Sequence, residues 1–135
     1  MASELKVDKF TGVTTAGSIL VTGEGNSTTT NLQQGLCKVR VQYDVPSTSN
    51  GQTITAGDSD NATSLTDNGD GQVMIVFTNN MANTKYVINV TATSQVFGAL
   101  DTGEAATNQV RMETWGHGGS VNNSAGMAAI FGDLA

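Results

Sequence analysis

The chain carries one histidine, His117, and one cysteine, Cys37, so the side chains that most often do chemistry are nearly absent. A metal site built on His117 would need carboxylates for its other ligands, and neither an HExxH pattern nor a Cys/His spacing accompanies it. Trp115-Gly116-His117-Gly118-Gly119 reads instead as a glycine-flanked break beside an aromatic, which makes Trp115 and His117 candidates for a binding surface. Asp58-Ser59-Asp60-Asn61 and Asp67-Asn68-Gly69-Asp70-Gly71 have the acidity of a calcium loop but lack its spacing and its distal Glu. Asp in such runs serves backbone hydrogen bonds in turns. Paired carboxylates for glycoside hydrolysis are a matter of spatial separation, and nothing in the spacing points to them. Four Asn-x-Ser/Thr triplets, at Asn26, Asn61, Asn89 and Asn122, carry no weight without a secretory signal. The expectation is a protein that is not an enzyme and that holds no metal or cofactor.

The elements that must position any site follow from composition and period. At 135 residues the chain suits one domain, able to bury about two thirds of its unfolded surface. Charged residues are 13% of the total, about half the ordinary share of roughly 25%. Polarity comes from Thr, Ser, Asn and Gly, which favour strands and turns over exposed helices. The net charge of -6 and the lack of a basic stripe argue against nucleic acid as a partner. Met1–Asp8 has no apolar signal region and no apolar stretch approaches 18 residues, so a cytoplasmic origin without membrane insertion is expected.

Alternation with period two dominates. From Cys37 to Val45 the apolar Cys37, Val39, Val41, Tyr43 and Val45 alternate with Lys38, Arg40, Gln42 and Asp44, predicting a strand with Cys37 on its buried side. Pro46 stops it. A short strand around 52–56 follows, then Ser64–Thr66 and the strong turn Asp67–Gly71. Val73–Phe77 is apolar throughout, the mark of a strand covered on both faces. Lys85–Thr93 places Tyr86, Ile88, Val90 and Ala92 on one face and reads as the antiparallel neighbour of Val73–Phe77. Gln109–Trp115 alternates again, and Gly126–Phe131 closes the set. One helical candidate remains, a turn or two around Thr30–Leu36. The predicted fold is all-β, an antiparallel β-sandwich of jelly-roll-like type spanning residues 31–135.

Residues 1–30 differ. Leu5–Phe10 and Ser18–Thr22 are short β segments set among Gly, Ser and Thr. They form either an edge hairpin packed on the sandwich or an N-terminal arm that docks or oligomerises by adding strands to another chain. The arm is the reading adopted, with Leu5, Val7, Phe10, Ile19 and Val21 as its anchoring side chains.

Thr14-Thr15-Ala16-Gly17-Ser18-Ile19 and the run Gly23–Lys38 resemble the opening of a module of bacteriophage tail-fibre-like proteins, especially marine ones. Ser64–Gly69, Val76–Asn83 and Ala129–Asp133 resemble its middle signature and its terminal strand. The resemblance implies a non-enzymatic protein of the virion surface, made in the bacterial host cytoplasm. Its partners would be other virion proteins, of capsid or tail, and copies of itself in a homo-oligomer. No heptad shaft or Gly-X-Y repeat accompanies the module. Two roles stay open. One is a capsid-decoration knob or small tail-fibre-like subunit anchored through the arm. The other is the tip of a tail fibre that binds a host receptor or glycan, with Trp115, His117 and Tyr43 offering aromatic faces to sugar rings.

Overall fold

The computed structural model describes residues 4–9, 11, 19–22, 29–43, 53–54, 56–92, 96–116, 118–119 and 123–135. The fold is all-β and antiparallel, a sandwich-like arrangement built from one nine-stranded sheet that curls over its own core. Two short strands, β1 (Leu20–Thr22) and β2 (Thr29–Asn31), pair with each other outside that sheet. A single helical turn, α1 (Leu32–Gly35), leads from them into β3 (Cys37–Tyr43). Then come β4 (Thr53–Ile54), β5 (Ala56–Asp60), β6 (Ala62–Gly69) and β7 (Gln72–Phe77). The last third holds β8 (Val87–Ala92), β9 (Val96–Leu100), a 3-10 turn at Thr102–Glu104, β10 (Gln109–Gly116) and β11 (Gly126–Phe131). The sheet order is β4-β6-β7-β10-β9-β8-β11-β3-β5.

The sheet divides where it is weakest. Among the described residues β8 and β9 share one paired position, Thr91 with Phe97, whereas their other ladders run five or six residues. On one side of this seam lie β4, β6, β7, β10 and β9, and on the other β8, β11, β3 and β5. Alternating residues of the two halves meet in a single core: Val39, Val41 and Ile130 from one, Leu65, Ile75, Val110 and Met112 from the other. Gly98 of β9 sits at the seam, and Val90 of β8 fills the space its missing side chain leaves.

Several sequence expectations hold. β10 keeps the predicted alternation, β11 forms over the expected Gly126–Phe131, β7 is buried at Val73, Met74, Ile75 and Phe77, and Asp70-Gly71 forms the turn between β6 and β7. Gly71 takes φ 65° there, a conformation glycine adopts freely. Others do not. Cys37 is exposed rather than buried, because the ladder shifts between Ile130 and Phe131: Ile130 pairs with Val39 and Phe131 with Cys37. The extra residue, Lys38, makes a bulge that turns Cys37 outward. The short strand expected around 52–56 is two strands, with β4 on β6 and β5 on β3, so the chain changes sheets between them. Leu5–Lys9 forms no strand, and Phe10 lies outside the described residues.

β8 is not the neighbour of β7; it pairs with β11 and β9. Asn61 supplies the reason. It adopts φ 57°, which asparagine tolerates better than other side chains, and its amide clamps the chain just after β7. Asn61 Oδ1 accepts from Asn79 N at 2.7 Å and Nδ2 donates to Asn79 O at 3.2 Å. The chain then crosses to the other sheet, pinned in the core by Met81 and Tyr86. The Tyr86 ring meets Phe77 edge to face at 6.1 Å, and its hydroxyl donates to the carbonyls of Ala106 and Gln109.

Candidate interaction surfaces

The register places the two ends of the sandwich. One lateral row runs from Tyr43 through Gly126 and the Thr91–Ala92 end of β8 to Phe97 and Trp115. The connections after β3, β8 and β10 leave from this end, and the β6–β7 turn lies beside it, Gly71 O accepting from Thr114 N. At the opposite end Cys37 faces Phe131, which faces Val87. Here α1 hands the β1–β2 ribbon to the sandwich. The candidate recognition loops and the candidate arm are therefore attached at opposite poles.

Trp115 and Tyr43 share a pole but not a surface. Trp115 lies on the outward side of β10 with Arg111 and Glu113, half-buried. Glu113 Oε1 accepts from Gln72 Nε2 at 2.9 Å. Tyr43 points the other way: it is 2% exposed and packs in the core, so its ring presents no face to a sugar. Burial pushes its phenol up to about 12, which keeps it neutral throughout the physiological range. The expectation that Tyr43 stacks on a ligand is corrected by this burial. His117 lies outside the described residues. A hollow of about 160 Å³ opens at this pole between Tyr43, Ala92, Ala125, Gly126 and Met127.

The other pole carries exposed apolar groups. Leu20 and Val21 are 57% and 50% exposed although they are successive residues of β1, so each face of the ribbon presents one apolar side chain beside Thr and Asn. Leu36 and Val87 at this pole are exposed as well, while Ile19 is half-buried and its carbonyl accepts from Leu32 N. A hollow of about 430 Å³ lies beside Val87, Phe131 and Asp133.

The polar cluster around Asp101 is structural. Asp101 caps the 3-10 turn through Gly103 N and accepts from Arg111 Nε at 2.9 Å and from Arg111 Nη2. The Arg111 hydrogen bonds, then the Gly103 amide, hold the Asp101 carboxyl below the usual carboxylate range. A carboxyl lowered on folding stabilises above its unfolded pKa of about 4 and loses that contribution as pH falls through the folded value. Asp101→Asn should cost about 1–2 kcal/mol at neutral pH and flatten the acid limb of stability below about pH 4. Urea titrations at a series of pH values check this, and an unchanged acid limb would count against it.

Among the described residues no group of three or more His, Cys, Asp or Glu could hold a metal ion, and no helix is long and apolar enough to cross a membrane. Comparison with models of known protein families, with curated proteins and with solved structures returned no match.

Proposed function

We propose that the protein is a non-enzymatic subunit displayed on the surface of a bacteriophage particle, a capsid-decoration knob or small tail-fibre-like subunit held by its N-terminal arm. The module resemblance motivates the phage setting. The observation that carries the anchoring is the ribbon β1–β2, which exposes one large apolar side chain on each face, Leu20 and Val21, and is joined to the sandwich at the pole opposite the loops. A ribbon with three-residue strands is marginal in water by itself and gains stability by burying such side chains against a partner. Partners of this kind are other virion proteins or further copies of the chain.

The test is retention on particles. A chain with Leu20→Asp and Val21→Asp should fold as before, since both side chains face solvent, yet be lost from purified virions. Quantitative mass spectrometry of the particles reads the copy number. A full complement on the particle would overturn the anchoring, and absence of the wild-type protein from particles would overturn the virion assignment itself.

A further inference from the structure

Asn68-Gly69 is one of two Asn-Gly pairs in the chain, and the structure surrounds it with the parts of a reaction. Asn68 is the extra residue of a bulge near the end of β6. Asp67 pairs with Val73 and Gly69 with Gln72, so Asn68 has no partner across the ladder. Its carboxamide makes no hydrogen bond among the described residues. Gly69 follows at φ 145°, a conformation that larger residues rarely adopt, and has no Cβ to crowd its nitrogen. The N–H on that nitrogen is held by a carboxylate, donating to Asp67 Oδ1 at 2.9 Å. Asp67 is itself 2% exposed, so little water competes for the contact.

We propose that Asn68 is a site of spontaneous deamidation, with the Gly69 nitrogen as nucleophile and Asp67 as its general base. The peptide nitrogen attacks through the electron pair normal to the amide plane, while Asp67 takes the in-plane proton it already holds. A bond forms from Gly69 N to Asn68 Cγ and closes a succinimide ring. The bond from Cγ to Nδ2 breaks, and that nitrogen leaves as ammonia with the proton Asp67 received. Water then opens the ring at either carbonyl, giving aspartate or, with the backbone rerouted through Cγ, isoaspartate. The product adds a negative charge, and in the isoaspartate one more backbone carbon, beside the Asp70-Gly71 turn. Gly71 ties that turn to the loop pole: its N–H donates to Asn123 Oδ1 at 2.6 Å and its carbonyl accepts from Thr114 N. Deamidation therefore falls on the turn that braces this pole. The inference stands whether or not the chain belongs to a particle.

The experiment ages the whole chain in warm neutral buffer made with oxygen-18 water, and peptide mapping reads isoaspartate and aspartate at position 68. Both are expected in the folded chain, each carrying the label. Asp67→Asn keeps a hydrogen-bond acceptor of the same shape but takes up no proton, and should slow the reaction about tenfold. The loss is smaller than for most enzyme bases because hydroxide still serves. Unfolding the wild-type chain in urea parts the base from the nitrogen and should slow Asn68 likewise, which keeps the test decisive if Asp67→Asn folds poorly. Asn50-Gly51 supplies the internal reference in urea, where the two pairs should react alike. An unmodified Asn68 in the folded chain, an equal or faster rate in Asp67→Asn, or an equal or faster rate in urea would overturn the proposal.

Discussion

Replacing Gly98 with alanine should destabilise the domain by about 3 kcal/mol and lower its melting temperature by roughly 10 °C. A Cβ at position 98 would press into Val90 Cγ1 and stand 2.5 Å from Val90 Cβ. The valine cannot yield by rotation alone, because its own Cβ is fixed by the backbone of β8. The strain falls on the seam, where one paired position joins β8 to β9, so the two sheets would move apart rather than repack. Chemical denaturation of Gly98→Ala, Val90→Gly and the double variant measures the coupling, and the double variant should recover part of the loss. Additive effects, or a loss below about 0.5 kcal/mol, would mean that the seam is looser than the structure has it.

The second large effect comes from the two tyrosines, for which the same substitution has opposite signs. Tyr86→Phe should cost about 1–2 kcal/mol, since the hydroxyl that donates to Ala106 O and Gln109 O is lost and those carbonyls stay partly covered. Tyr86→Ala should cost about 4 kcal/mol, because the edge-to-face contact with Phe77 and the pin on the crossing connection go with it. Tyr43→Phe removes a hydroxyl that has no partner among the described residues and should leave stability unchanged or raise it by about 1 kcal/mol. Thermal and urea unfolding of the three variants side by side gives the comparison. A loss at Tyr43→Phe matching that at Tyr86→Phe would mean that an ordered water serves the buried phenol.

The strands that were legible in the sequence are those with apolar side chains recurring at alternate positions. β10 and β11 announce themselves through Val110, Met112, Ala128 and Ile130. β9 does not, because one of its inward positions is Gly98, and the volume there is supplied by Val90 from another strand. Nothing local to Val96–Leu100 records that. The pairing of β8 was illegible for a related reason: it depends on Asn61, eighteen residues before the Asn79 that it clamps. Cys37 was misplaced by one bulge residue, Lys38, which shifts the period without altering composition. Tyr43 is different, since the alternation that defines β3 already set it on the buried side, and its aromatic ring was weighed as a surface group against that pattern. Of the proposed sites, Trp115 is half-exposed at the loop pole, and Leu20 joins Val21 as an apolar group the sequence reading had not singled out.

Because Cys37 pairs with Phe131, the first residue of β3 and the last of β11 lie side by side at one pole. This sets how the domain answers to force. A pull between Cys37 and Phe131 peels β3 from β11 one hydrogen bond at a time. A pull between the ribbon and whatever the far loops hold runs lengthwise along β3, loading its ladders with β11 and β5 in shear, so that many bonds must fail together. A tether at the ribbon with a load at the loops therefore meets the sandwich along its mechanically stiff axis.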